Sequence, residues 1–368
     1  MDLQITSDQE LFREATAKFL ESACPIEKLR ALADDATGVD DGYLAQGAEL
    51  GWFAMLVPEE HGGGSVSGDG LLDAAIIAEE RGRLLQPGPF TPANVCAFAV
   101  ADAGRDAQKA DLLPALAAGE AIATPTLTDG NVTICGEAEG DGFTISGTAP
   151  LVQDAHLATW FLVTAATANG LTQFVVPAAT PGVTVTPLES LDLSRKFGEV
   201  TFADVALSAD AVLGTPDGAA AAVQRQTDVA VVLTVADMIG AMNELFERTV
   251  EYAKARTAFG RPIGSFQSIK HLLADVSLRL EASKAIAVAA QRAVQTNAEG
   301  ASETASMAKS FVGDAAHDLA QNCFQVHGGI GYTWEHDLHL FMRRLTTDKV
   351  LYGSPEFHRE RLCSLQGM

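Results

Sequence analysis

R-T-A-F-G-R-P-I-G-S-F-Q, from Arg256 to Gln267, interrupts two long apolar patterns with a cation, an aromatic ring, two glycines and an amide. Its echo is Q-V-H-G-G-I-G-Y-T, from Gln325 to Thr333. An isolated Arg beside backbone-exposing glycines suits an anionic ligand such as a diphosphate, because a guanidinium offers a planar fork of donors. The same residues also fit an interhelical turn whose Arg is solvated. Before the break, Val223, Val231, Val235, Met238, Met242, Leu245 and Phe246 line one face of a helix. After it, Phe266, Ile269, Leu273, Val276 and Leu280 recur at three- and four-residue spacing, and Ala289 to Leu319 supplies further helix. Together these predict an antiparallel helical bundle.

Working outward, the first third is helical as well. Ser7-Asp-Gln-Glu10 has the spacing of a capping box, followed by Leu11, Phe12, Ala15, Phe19 and Leu20 at helical intervals. Further helices are expected over Tyr43 to Leu50, Leu71 to Arg81, Ala93 to Ala101 and Ala107 to Ala118. V-P-E-E-H-G-G-G, from Val57 to Gly64, reads as a loop, and its lone His61 has no neighbour with which to bind a metal. From about Ile122 threonine and valine become common and runs shorten. Phe143 to Ile145, the runs flanking Asn169-Gly170, Val183 to Val185 and Val200 to Phe202 read as strands, with Asn-Gly as a hairpin signal. The expected fold is mainly α with a small β domain. It comprises an N-terminal helical domain over 1–120, a central β-barrel-like domain over 121–216 and a C-terminal four-helix bundle over 217–368.

At 368 residues and 47% hydrophobic content the chain has ample material for two or three cores. Its 25 basic and 48 acidic residues leave a formal charge of −23, which argues against nucleic acid and anionic membranes as partners. Any anionic ligand must therefore be held by local donors. The five cysteines are widely separated and lack a C-x-x-C pair, as expected of reduced thiols in the cytoplasm. The opening M-D-L-Q-I-T-S-D-Q-E lacks the regions of a signal peptide, and no uninterrupted apolar run reaches bilayer length.

The order helices, β domain, bundle, combined with R-x-x-F-G, F-Q-x-x-x-x-x-L-A-D and Q-V-H-G-G-I-G-Y-T, resembles the acyl-CoA dehydrogenase family. E-L-G-W followed by V-P-E-E-H-G-G, and V-T-F-A-D-V-A-L-S leaving the β domain, extend the resemblance over nearly the whole chain. It implies an FAD cofactor at a dimer interface, an acyl-CoA thioester substrate and a soluble electron-transfer flavoprotein as acceptor. It also implies that one subunit holds the isoalloxazine while its neighbour reaches across to the diphosphate and adenosine. Carried over by position, Arg256, Phe259, Gln267, Gln325, Gly328 and Gly329 are the residues that reach across. Ser354 and Glu356 match two further cofactor-contacting positions. His327 is expected to pack or hydrogen-bond, and Glu335 and His336 to order the glycine loop.

The resemblance thins at the other half of the site. Where the family presents T-E-P-x-A-G-S-D and W-I-T-N against the flavin, this chain has T-P-T-L-T-D from Thr124 and Leu151-Val-Gln-Asp154. Thr126 keeps a hydroxyl, whereas Leu151 replaces the indole and Gln153 the hydroxyl residue. The reaction removes a proton alpha to the thioester while a hydride passes from the beta carbon to the flavin, and the base is a glutamate. Its commonest place, before the glycine of E-G-T-S-x-I-x-R, is Tyr352 here; a phenol with an ordinary pKa of about 10 is a poor base near neutrality. The alternative place, on the helix before R-x-x-F-G, aligns with Ala230. Asp228, two residues away and about 200° around the helix, reads as a solvated charge. No residue is thereby assigned as catalytic.

Three readings follow. A heteromeric subunit can borrow a paralogue's glutamate and flavin wall, in assemblies like those of actinobacterial steroid degradation. A self-sufficient dehydrogenase, dimeric or tetrameric, can use a relocated base such as Asp228. A silent scaffold would keep only the fold.

Overall fold

The computed structural model describes residues 5–40, 42–127 and 132–368. Met1 to Gln4, and Thr128 and Asp129 of the T-P-T-L-T-D stretch, lie outside them. Six helices open the chain: α1 (Ser7–Ala23), α2 (Ile26–Ala33), α3 (Tyr43–Glu49), α4 (Gly70–Arg83), α5 (Phe90–Ala103) and α6 (Asp106–Ala117). The capping box of α1 sits one residue earlier than its spacing suggests. Thr6 Oγ1 accepts from the Gln9 amide at 3.2 Å, and Gln9 Oε1 accepts from the Thr6 amide at 3.0 Å. Both registers offer a hydroxyl three residues before an acceptor, so the spacing alone does not choose between them.

Eight strands follow: β1 (Ala123–Pro125), β2 (Ile134–Glu139), β3 (Gly142–Gln153), β4 (Trp160–Thr167), β5 (Gly170–Pro177), β6 (Val183–Leu188), β7 (Phe197–Ser208) and β8 (Val212–Leu213). They form one sheet in the order β6-β7-β3-β2-β4-β5-β8, with β1 parallel to β4. Its core gathers Ile145, Phe161, Val163, Phe174, Phe202 and Val205. The β4–β5 hairpin is present, but Thr167 pairs with Gly170, so Ala168 and Asn169 form the turn. Gly170 serves packing instead: a Cβ there would lie 2.3 Å from the Asp217 carbonyl oxygen.

The remaining chain is α7 (Ala220–Ala255), the short hairpin β9 (Thr257–Ala258) and β10 (Arg261–Pro262), then α8 (Gln267–Gln295), α9 (Ala301–His327), α10 (Leu338–Val350) and α11 (Pro355–Leu365). The predicted helix over Ala289 to Leu319 is broken at Asn297 and Gly300, both in the left-handed region. By length and composition α7 could cross a membrane, but 83% of its most apolar window is buried inside the protein, as in a core helix.

By contacts the chain forms two compact units. One comprises residues 31–74 and 87–230, and contains the sheet. The other comprises residues 1–30, 75–86 and 231–368. In the second, α4 and α7 meet backbone to backbone: a Cβ on Gly82 would lie 1.9 Å from the Asp237 carbonyl oxygen, and one on Gly240 1.8 Å from that of Glu79. Beside this crossing Asp237 receives buried Arg344 of α10, with Nη1 3.1 Å from both carboxylate oxygens, while Nη2 donates to the Gln86 carbonyl at 2.7 Å. Removing one partner of such a pair strands the other charge out of water. Asp237→Ala should therefore cost about 3–5 kcal/mol in urea unfolding; a loss under about 1 kcal/mol would contradict this role.

Candidate flavin and acyl-CoA site

Arg256 follows the last residue of α7, and its amide donates to the Tyr252 carbonyl at 2.8 Å. The chain then folds back through β9 and β10, closed by the Ile263 amide on the Arg256 carbonyl at 2.8 Å. Arg256 and Gln267 are exposed, and Phe259 is 95% exposed with φ +53°. Its ring meets Phe266 edge-on, and the Arg261 guanidinium lies 4.1 Å from the Phe266 centroid. An aromatic side chain held in solvent on a left-handed residue is an unfavourable arrangement within this chain alone.

The second segment starts where α9 ends. Gln325 is exposed and His327 buried. The Tyr252 ring stacks on His327 with centroids 4.3 Å apart and planes at 18°, and His336 meets His327 edge-on at 5.0 Å. Burial, assisted by His336 and opposed by the hydrogen bond to the Cys323 carbonyl, lowers the His327 pKa. The imidazole thus packs and hydrogen-bonds, as expected of it. His336 Nδ1 accepts from the Leu338 amide at 3.2 Å, which orders the segment after the loop; Glu335 is exposed. Farther along, Arg30 donates to the Trp334 carbonyl and to Asp337 Oδ1.

Gly328 and Gly329 have nothing within 4 Å of where a Cβ would stand, and Gly329 does not have a left-handed φ. Nothing in the fold of this chain therefore demands glycine at 329. Tyr332 and Trp334, 76% and 56% exposed, flank the same loop. The arrangement fits a phosphate-bearing ligand: a bare backbone open to close approach, an exposed cation and exposed rings.

Ser354 and Glu356 lie elsewhere. Ser354 caps α11, accepting from the Phe357 amide at 3.3 Å, and Glu356 pairs with Arg359 at 3.0 Å. Pro355 packs beside Gly313 of α9, whereas the glycine loop follows His327. At 1.5 Å per residue those two points of α9 are roughly 21 Å apart. The eight positions thus fall into two groups along one helix.

Tyr352 precedes α11 in the left-handed region, φ +57°. Its carbonyl accepts from His358 Nε2 at 3.0 Å, which leaves Nδ1 to accept from Ser306 Oγ at 3.2 Å; Arg361 donates to the same Ser306 oxygen at 3.1 Å. One turn after Ser306 on α9, buried Lys309 donates to the carbonyls of Asp348 and Lys349 at 2.5 and 3.0 Å. Burial lowers its pKa to about 7, against the opposing charge of Asp348. These two buried side chains satisfy the carbonyls at the end of α10 and fix the turn that presents Tyr352. Sequence reading missed both; Lys309 carries no motif, and His358 is visible only as an unexplained His in the last helix.

In the other unit, Thr126 is buried and its Oγ1 accepts from the Thr164 amide at 3.1 Å. Gln153 is buried, donating to Asp154 Oδ2 at 3.1 Å, and its Oε1 has no partner among the described residues. Leu151 is 47% exposed. No indole stands at that position, and the amide in the hydroxyl residue's place is spent on one side only, its buried Oε1 left unpaired among the described residues. Ala230 is buried, and Asp228 is only 3% exposed, which corrects its reading as a solvated charge. A periodic pattern identifies the face a residue occupies but not which faces of a core helix are covered.

The acyl-CoA dehydrogenase N-terminal-domain model matches residues 6–120 and the C-terminal-domain model residues 217–364. The chain belongs to the acyl-CoA dehydrogenase family, flavoprotein oxidoreductases that use FAD and act on acyl-CoA. It is 33% identical to the acyl-CoA dehydrogenase IpdE2 of Mycobacterium tuberculosis, over 97% of this chain and 96% of that one. Among solved structures, a variant of the Tcur3481-Tcur3483 steroid ACAD superposes with a TM-score of 0.89 at 26% identity, covering 98% of this chain and 97% of the other. The ChsE4-ChsE5 complex of Mycobacterium tuberculosis superposes with a TM-score of 0.91 at 24% identity, covering 100% and 99%.

The Tyr352 turn has a measurable signature. The His358 pKa is pushed down to about 4, chiefly by burial, from an ordinary 6.5. Its folded-state contribution is complete above about 6.5 and is lost as pH falls through about 4. Between pH 7.5 and 4.5 the wild type should therefore lose on the order of 2 kcal/mol more stability than His358→Gln, measured by urea unfolding at both pH values. Equal losses would contradict the assignment.

Proposed function

We propose that this chain is one subunit of a heteromeric acyl-CoA dehydrogenase. It reaches with Arg256, Phe259, Gln267, Gln325, Gly328 and Gly329 toward the diphosphate and adenosine end of an FAD whose flavin wall and catalytic glutamate belong to a paralogous chain. The observation that carries this reading is the Arg256 and Gly329 surface. There, Phe259 stands 95% exposed and Gly329 has open space with no left-handed φ to require glycine, while Tyr352, Ala230, Leu151 and Gln153 occupy the places of a self-sufficient site.

When bound, FAD supplies the hydride acceptor. Arg256 neutralises phosphate charge, Gln267 and Gln325 add amide hydrogen bonds, and the bare backbone at Gly328 and Gly329 lets the ligand approach. Ser354 and Glu356, at the other end of the α9 segment, mark this chain's own half-site, which holds no FAD of its own in this reading. A steroid-derived or similarly bulky CoA thioester is the proposed substrate class, supported by the likeness to a steroid ACAD at 26% identity. The proposed electron acceptor is a soluble electron-transfer flavoprotein, and the proposed compartment is the cytoplasm.

The test is anaerobic reduction of the purified protein, with and without a co-expressed paralogue, across short-chain and steroid-derived CoA thioesters. Turnover is expected only with the paralogue. A homo-oligomer that dehydrogenates a thioester alone would contradict the proposal. In the active assembly Arg256→Ala should weaken FAD retention about 10- to 100-fold by equilibrium dialysis, the worth of a charge-assisted hydrogen bond. Unchanged retention would remove Arg256 from the site.

The burial of Asp228 favours one second reading, a self-sufficient enzyme with a relocated base. In an active homo-oligomer Asp228→Asn would then abolish turnover. Unchanged turnover would dismiss it.

A further inference from the structure

Tyr252 links the two exposed segments. It lies in the last turn of α7, half-buried, and its carbonyl receives the Arg256 amide at 2.8 Å. Its ring lies flat on His327, and its hydroxyl points at the His327 carbonyl oxygen, 3.5 Å away. That carbonyl belongs to the last residue of α9, where helical carbonyls lack an intrahelical donor. It also begins the peptide leading into Gly328, whose φ is +65°.

The side chain of His327 is held independently. Its Nδ1–H donates to the Cys323 carbonyl at 2.9 Å, and His336 covers it edge-on. The imidazole therefore does not need a phenol above it in order to stay buried. The N–H of the first glycine peptide is held by the Phe324 carbonyl, and the phenol adds a donor at the same peptide's carbonyl, which links it to α7.

We infer that Tyr252 is a positioning residue for the cofactor-facing surface. It ties the His327–Gly328 peptide, whose N–H donates to the Phe324 carbonyl, to the end of α7, so that the Gly329 backbone and Arg256 present one preorganised face to a diphosphate. This inference rests on the FAD reading proposed above. Its physical basis is entropy: a short hairpin and a glycine loop, ordered separately, would each lose freedom when the ligand binds, and a shared anchor removes part of that loss beforehand.

The test uses the flavoprotein as isolated, together with any chain that co-purifies with it. Tyr252→Phe keeps the stack and removes the hydroxyl, whereas Tyr252→Leu removes both. Three quantities are measured: the FAD dissociation constant by equilibrium dialysis, the melting temperature of the FAD-stripped protein, and amide hydrogen exchange at Gly328 to Gly331. FAD binding is expected to weaken about three- to tenfold in Tyr252→Phe and further in Tyr252→Leu. Exchange at the glycine amides should quicken in both, while the stripped Tyr252→Phe protein melts like the stripped wild type. FAD affinity and exchange unchanged in both variants, with a wild type that binds FAD, would overturn this inference alone. So would loss of FAD binding that follows only from a lowered melting temperature in both variants. A wild type that binds no FAD, with or without co-purifying chains, would overturn the FAD reading and this inference with it.

Discussion

The close crossing of α4 and α7 is the constraint on which one half of the molecule depends. Gly82 and Gly240 bring the two backbones together so closely that neither position accepts a Cβ without moving a carbonyl. That contact fixes Asp237, which holds Arg344, which in turn anchors α10. From there the geometry propagates in two directions. Along α7 it reaches Tyr252 and Arg256; along α10 it reaches the carbonyls held by Lys309 and the turn held by His358. Both ends therefore hang on one buried frame, which matters because a site built on unanchored ends loses binding energy to ordering them.

Two surfaces with opposite histories grow from this frame. The Arg256 and Gly329 surface keeps residues that the chain does not need for its own folding. The Tyr352 turn keeps its supports, a left-handed residue braced by a buried neutral imidazole and a buried lysine, although the side chain it presents is a poor base. Strain and buried polar groups of this kind persist where a turn has to be held in place. In the proposed reading, the supports of an active-site turn remain at a position that presents a phenol. That contrast underlies the assignment of this chain to a shared site.

Much of the fold was legible because its signals are local. The apolar spacing of Val231, Val235, Met238 and Met242 marks α7, and the threonine- and valine-rich runs mark the sheet. The details that failed depend on partners distant in sequence. Thr6 and Ser7 offer equivalent caps, and only the entry of the chain into α1 selects Thr6. Gly170 looks like a turn residue but is required by the approach of Asp217. Asp228 looks solvated because helical periodicity does not reveal that α7 is covered on nearly every side. Within the proposed site, R-x-x-F-G and H-G-G-I-G stand out because exposed glycine backbone beside arginine suits an anionic ligand. Tyr252 and His358 stayed hidden because their roles are contacts across the bundle, which no spacing in the chain records.

The central claim concerns ownership of the cofactor, and flavin stoichiometry tests it most directly. Native mass spectrometry of the assembly purified from co-expression with a paralogue counts both chains and FAD in one measurement. The account predicts unlike chains in equal number and one FAD for each pair, with this chain alone binding none stoichiometrically. One FAD per chain in an assembly made only of this protein would contradict it.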